Sequence, residues 1–383
     1  MSTLKVDGIR SNSATSDAIT LANDGTCTAK ITNNLSNRNI IVNGGMTVSQ
    51  RNGTTATAVT SANQYTLDRI KGSNNSDAAF TIAQSSTAPD GFANSLKVDV
   101  TTADTSLGAA HYGQIIYHVE AQDLQQLAFG TSTAKASILS FYVRSNKTGN
   151  YGVAVLQDDN SSKQVTFQYT INSADTWERK SFIIPADTSG VINNDNGKGF
   201  DIHIGFAAGT TYTSGSLRSS FTAFANGDLY AGQGVNLFDS TSNEWYITGI
   251  QLEVDHTGSG KPTDFEHRKY TDELRSCQRY LYILDLGSFS LVMNFQLARL
   301  GYNTGAPHQY VTWPVPMRAA PSMTKDGASY SGGGYTSNIL LGSAHTTAGI
   351  LYGDTAALSG QCLWHRVNNV SGTILRYLFS AEL

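Results

Sequence analysis

The sequence predicts an all-β protein: an antiparallel jelly-roll-like sandwich, then a short helix, then a smaller C-terminal β-domain. Three observations predict it. Apolar and polar residues alternate with period two through many short runs. Clusters of Ser, Asn, Asp and Gly separate those runs. No long helical pattern lies between them, so neighbouring strands pair antiparallel, and a jelly roll is the common solution for a segment of this size.

The elements follow in order. Residues 1–37 hold short strand-like pieces, such as Leu4-Lys5-Val6 and Ala18-Ile19-Thr20-Leu21, and no aromatic residue. Such a segment buries too little apolar surface to offset its ordering entropy, so it is either disordered or docked on other subunits. Residues 38–260 carry the alternation. Leu96, Val98 and Val100 share one face, as do Leu139, Phe141 and Val143, and Tyr151, Val153 and Val155. Val165, Phe167, Tyr169 and Ile171 form another set, and Phe200, Ile202, Ile204 and Phe206 a fifth, with Asp201 and His203 opposite.

Residues 261–283 form a linker and a short helix near 271–282. Thr271 caps it, Asp272 and Glu273 sit in the first turn, and Arg275 and Arg279 lie toward the end, which suits the helix dipole. Tyr270, Leu274, Cys277 and Leu281 share the face expected to pack. Residues 284–383 return to strands and form the second β-domain. Four of the seven prolines fall between Pro307 and Pro321, which marks an edge or irregular crossing.

Composition narrows the function. Only 15% of the 383 residues are charged, against the usual quarter or so, while 40% are hydrophobic and 10% aromatic. The net charge of −4 argues against a nucleic-acid footprint. Three cysteines, Cys27, Cys277 and Cys362, are far apart, so neither a disulfide framework nor a zinc site is expected. No 18-residue apolar run and no signal-like start occur, so neither membrane insertion nor standard export is expected.

Several motifs are shared with one kind of protein. Asp264-Phe265-Glu266-His267-Arg268 leads into Cys277-Gln278-Arg279-Tyr280. Asn43-Gly44-Gly45-Met46 precedes Gln50-Arg51. Tyr65-Thr66-Leu67-Asp68-Arg69 follows, and Pro314-Val315-Pro316-Met317-Arg318-Ala319-Ala320-Pro321 comes later, before the closing Ala381-Glu382-Leu383. In this set and order the chain resembles bacteriophage tail fibre and receptor-binding proteins. That family often has Trp after the Asp-Arg pair, where this chain has Ile70. Asp175-Thr176-Trp177-Glu178-Arg179 and the strand Glu244 to Glu253 resemble strands of jelly-roll carbohydrate-binding modules.

The resemblance implies a structural subunit of a tail fibre that attaches the virion to its host by recognising surface polysaccharide or lipopolysaccharide. It implies a homotrimer, assembly in the host bacterial cytoplasm, and docking on other tail proteins through the N-terminal segment. Tyr270, Leu274, Cys277, Arg279 and Tyr280 are the expected structural or trimer contacts. The other reading is a virion protein without receptor role, a tail adaptor or capsid decoration.

No catalytic constellation, cofactor motif or metal loop emerges. His111 and His118 lie seven apart on a stretch with strand character, so they are expected to face opposite ways. Asp158-Asp159 and Asn193 to Asn196 read as turns. An enzyme is therefore not expected. Glycan sites need ring faces beside planar polar groups. Tyr212, Tyr230, Tyr330, Tyr335 and Tyr352, in or near Gly/Ser/Thr-rich loops, are the candidates. Trp177 is expected to pack at the core or rim rather than to serve as a sugar platform.

Overall fold

A computed structural model of the chain describes residues 6–23, 27–29, 37–60, 62–285, 292–294, 308–326, 339–344, 348–353, 364–366 and 376–383. Tyr330 and Tyr335 lie outside the described residues.

Three short strands, β1 (Gly8–Ile9), β2 (Ile19–Leu21) and β3 (Cys27–Ala29), pair antiparallel. Val6, Ile9 and Leu21 stay exposed around them, as expected of a segment with too few apolar groups to close a core.

The sandwich follows. Its strands are β4 (Thr57–Val59), β5 (Gln64–Tyr65), β6 (Ile70–Asn75), β7 (Ala79–Ser85), β8 (Ser95–Thr102), β9 (Tyr112–Glu120), β10 (Ser137–Ser145), β11 (Gly149–Gln157), β12 (Lys163–Ile171), β13 (Glu178–Ile184), β14 (Lys198–Ala208) and β15 (Glu244–Val254). Sheet one runs β13-β10-β15-β8-β7-β4 and sheet two β12-β11-β14-β9-β6-β5. From β8 to β15 the chain passes repeatedly between the two, in an antiparallel jelly-roll-like sandwich. The alternation explains the register. Leu139 and Phe141 face inward on β10, Val153 and Val155 on β11, and Ile202 and Ile204 on β14.

Between the sheets Phe80 meets Phe206 edge-on at 5.3 Å and stacks on Phe238 at 5.4 Å, and Trp245 lies beside Phe206 at 5.8 Å. Each such side chain contributes roughly 1.5–3 kcal/mol by burial.

The helix spans Tyr270–Gln278, begins after Lys269 without a side-chain cap, and gives way to strand at Leu281. The expected start at Thr271 and end near 282 are thus corrected. The expected packing face is corrected too. Cys277 is buried and Leu274 half-buried, but Tyr270 is 58% exposed and Glu273 is buried instead. A buried carboxylate is tolerated when satisfied. Glu273 accepts the Asn43 N–H and lies 3.7 Å from Arg268.

Beyond the helix, β16 (Leu281–Asp285), β17 (Val292–Asn294), β18 (His308–Thr312), β19 (Ser322–Asp326), β20 (Ile339–Ala344), β21 (Ala348–Gly353), β22 (Trp364–Arg366) and β23 (Arg376–Ser380) form the sheets β16-β23-β19, β17-β22 and β18-β21-β20. Between β18 and β19 the proline-rich segment is irregular, and Trp313 packs on Phe379 at 4.7 Å. Among the described residues no helix is long and apolar enough to cross a membrane.

Candidate functional site

The separate motifs meet in space. The Asn43 side-chain amide donates to the carbonyls of Val48 at 2.8 Å and Asp68 at 3.0 Å. The Gln50 N–H donates to Asp68 Oδ2 at 2.6 Å, and its side chain to Leu281 O at 3.0 Å. Arg69, 1% exposed, donates to Glu382 Oε2 at 2.9 Å and to His118 O at 2.6 Å. Its guanidinium lies over the Tyr280 ring at 3.4 Å and the Tyr117 ring at 5.4 Å. Arg51 holds the other Glu382 oxygen at 3.1 Å. Tyr65 donates to the Leu383 carbonyl at 2.5 Å.

Arg318 closes the ring of contacts. Its side chain donates to Ala381 O at 2.7 Å and Glu382 O at 3.0 Å, and its N–H to Arg279 O at 2.8 Å. Arg279 in turn grips both oxygens of buried Glu120 at 2.9 Å, a bidentate pair that favours Arg over Lys. At the other end of the run Glu266 accepts Asn39 N–H at 2.8 Å, while Arg268 donates to the carbonyls of Asn39 and Ile41. Asn43, Met46 and Arg69 all adopt positive φ, a strained geometry held by this network.

These residues form a clasp. It ties the entry to the sandwich, the helix and the last strand into one body. Tyr280 and Arg279 are contacts within the chain. Cys277 packs among them, and burial pushes its thiol well up, so it serves as a small apolar group.

The expected glycan tyrosines separate. Tyr230 is a correction: it is 0% exposed and donates to Gln114. Its ring lies 2.7 Å and 2.8 Å from where side chains at Gly152 and Gly205 would begin, so both glycines make room for it. Tyr212 is half-buried and meets Tyr112 edge-on at 5.3 Å. Tyr352 lies in β21 opposite His308.

The outer face of sheet two carries a polar chain. The Lys71 ammonium donates to His118 Nε2 at 2.7 Å, which places the His118 proton on Nδ1, facing Asp201. Lys198 donates to Asp201 at 2.9 Å and pairs with Asp158 at 2.7 Å. Burial holds His118 below its usual value and His203 down at about 4. Burial pushes the Asp201 carboxyl up, but the bonds from His118 and Lys198 outweigh it and hold the group low. The arrangement is a closed hydrogen-bond chain, and no nucleophile is engaged in it. His111 stands before β9, not within it, which corrects the strand reading. It lies 3.0 Å from Asp104, and the ligating atoms of Asp77, Asp104 and His111 all lie within 4.8 Å of one another.

A polar cleft of about 590 Å³ opens between the entry segment, the turn Ala121–Leu127 and the helix, lined by Asn39, Asp123, Gln126, His267, Lys269 and Asp272. Ring faces and planar charges come together on the outer face of sheet one. Trp177 lies edge-on to Tyr246 at 6.2 Å, and Arg144 covers Tyr246 at 5.1 Å. Arg179 covers Tyr142 at 5.6 Å, and Phe92 meets Tyr142 at 5.2 Å and His267 at 5.1 Å. Trp177 is half-buried. The alternation of β10 was the signal for this face, because inward Phe141 and Val143 turn Tyr142 and Arg144 outward.

No family model matches the chain, and no curated protein matches it. Solved structures are similar at low scores. A tailspike enzymatically active domain of bacteriophage CBA120 gives a TM-score of 0.31 at 10% identity, over 56% of this chain and 21% of that one. A putative sugar binding protein from Bacteroides thetaiotaomicron gives 0.30 at 13%, over 57% and 100%. A family 11 carbohydrate-binding module of Clostridium thermocellum gives 0.26 at 11%, over 57% and 99%. Likeness at this level carries no argument about ligand or activity.

Proposed function

We propose that this chain is a structural subunit of a bacteriophage tail fibre, which mediates virion attachment to the host surface by recognising glycan. The observation that carries this reading is the clasp. Motifs far apart in sequence, the same ones that resemble tail fibre proteins, form a single network around Arg69 and Glu382. Unrelated chance matches have no reason to converge.

In this reading the clasp is scaffold and binding falls to the outer face of sheet one. Trp177, which the sequence led us to expect only as a packing residue, is half-buried, and in this reading it supplies ring surface together with Tyr142 and Phe92. The Arg144–Asp175 pair, at 2.8 Å, supplies planar hydrogen-bonding groups. Both signs are present on this face, which suits a largely neutral saccharide. Three copies in a fibre would raise avidity over one site by roughly 10²–10⁴.

The test is retention of the purified protein on bacterial surface polysaccharide and lipopolysaccharide, with Trp177→Ala and Arg144→Ala alongside. Retention of the wild type and its loss in both variants is expected. Retention unchanged in both would remove this face from the account, and no retention on any bacterial surface glycan would remove the attachment role.

A further inference from the structure

The run Asp264-Phe265-Glu266-His267-Arg268 divides between two tasks. Glu266 and Arg268 are bonded into the clasp, Glu266 by the Asn39 N–H and Arg268 by the carbonyls of Asn39 and Ile41. Phe265 and His267, the alternate residues, meet Phe92 instead. Phe92 lies 5.0 Å from Phe265 and 5.1 Å from His267, and Phe265 lies 4.9 Å from His267. Phe92 reaches this place across Gly249, where a side chain would begin 2.8 Å from its ring and 2.9 Å from Tyr142. His267 is exposed, and among the described residues its ring has no hydrogen-bond partner.

The three rings wall a pocket of about 160 Å³, which the segments 44–47 and 91–93 close on other sides. A side chain on Gly45 would begin 3.6 Å from the Phe265 ring, and one on Gly91 would meet nothing within 4 Å. Both glycines thus leave the space open. The pocket is smaller than the roughly 300 Å³ at which sites for drug-sized molecules begin, so one sugar residue is the most it can hold.

The polar groups on its floor are already bonded within the chain. Glu266 and Arg268 serve the clasp, and Glu273 takes the Asn43 N–H. The Asn39 side chain donates to Ile250 O at 3.2 Å and accepts the N–H groups of Ile41 and Leu252. A hydroxyl pushed among them is buried without a partner, and no unpaired charge is there to hold an acidic or amino sugar. A methyl group against three rings carries neither penalty. The His267 ring nitrogens, at the exposed mouth, can bond sugar hydroxyls.

We propose that this pocket takes the terminal residue of a glycan, a neutral sugar inserted by its methyl group, either a deoxyhexose or an N-acetylhexosamine. The proposal rests on the glycan reading of the outer face of sheet one, of which Phe92 is the edge. The glycan then runs from the pocket toward Trp177 and is held by its chain end rather than by a repeat within it.

The experiment is saturation-transfer NMR of the full chain with L-rhamnose, L-fucose, N-acetyl-D-glucosamine and N-acetyl-D-galactosamine. Each is paired with the sugar that lacks the methyl-bearing group: L-mannose, L-galactose, D-glucose and D-galactose. At least one methyl sugar is expected to bind, with saturation strongest on its methyl protons and its counterpart roughly four- to tenfold weaker. The pair that responds separates the deoxy from the acetyl source. Gly45→Leu fills the pocket and should abolish binding. His267→Ala changes only an exposed ring, so it keeps the test decisive if Gly45→Leu folds poorly, and it should weaken binding about five- to tenfold. Polysaccharide retention without binding of any of these sugars overturns the pocket and leaves the face. So does equal binding of each methyl sugar and its counterpart, or binding unchanged in both variants. No retention on any surface glycan together with no bound sugar overturns both.

Discussion

Replacing Arg69 with Met is the sharpest perturbation of the clasp. The side chain is nearly inaccessible and holds Glu382 at 2.9 Å, His118 O at 2.6 Å and the Tyr280 ring at 3.4 Å. Removing one member of a buried ion pair costs about 3–5 kcal/mol, because the partner charge stays behind. Glu382 retains Arg51, which argues for the lower end. The lost contact with the Tyr280 ring adds about 1–2 kcal/mol, so a total of ~4 kcal/mol is expected. At roughly 2–4 °C per kcal/mol for a domain of this size, Tm falls by about 8–16 °C. Arg69→Lys should lose around half as much, since an ammonium cannot span Glu382 and His118 O together. Adding Glu382→Gln to Arg69→Met should restore part of the loss, because the stranded charge goes with it. Urea unfolding followed by tryptophan fluorescence reads these values, and limited proteolysis should show the 376–383 strand released first. A cost under about 1 kcal/mol, with an unchanged proteolysis pattern, refutes the clasp as the element that holds the C-terminal strand.

Other outcomes follow from the same residues. Stability should fall as pH drops below about 6.5, because the unfolded chain protonates its histidines before buried His118 and His203 can. For His203 the displacement from 6.5 to about 4 amounts to at most roughly 3 kcal/mol, fully lost only near pH 4, and urea midpoints between pH 8 and 4 measure it. Asp201, held low in the folded state, adds a loss at still lower pH. Cys277 should resist thiol reagents until urea unfolds the chain, which mass spectrometry of the labelled peptide reports. Light scattering should give a homotrimer of three 41.0 kDa chains, and a stable folded monomer at micromolar concentration rules the trimer out. Incubation with host polysaccharide should release no new reducing ends, and turnover above background would make the chain an enzyme.

Much of the sandwich was legible because period-two alternation is a direct imprint of burial on one face. Val165, Phe167, Tyr169 and Ile171 turn inward on β12 for that reason. What alternation cannot tell is whether an outward face is later covered. Tyr230 reads as a loop aromatic, yet its loop folds back over Gly152 and Gly205 and seals it. Glu273 reads as a solvated first-turn acid, yet the Asn43 N–H and Arg268 draw it inside. The motif residues were visible one by one, but their meeting depends on contacts such as Arg69 to Glu382, which no local pattern encodes.

The attachment role is tested most directly by locating the chain on the virion. Gold-labelled antibody against the sandwich, imaged by electron microscopy on particles that carry this protein, should decorate the tail fibres and block adsorption to host cells. Label confined to the capsid, or adsorption unaffected by saturating antibody, would contradict the account.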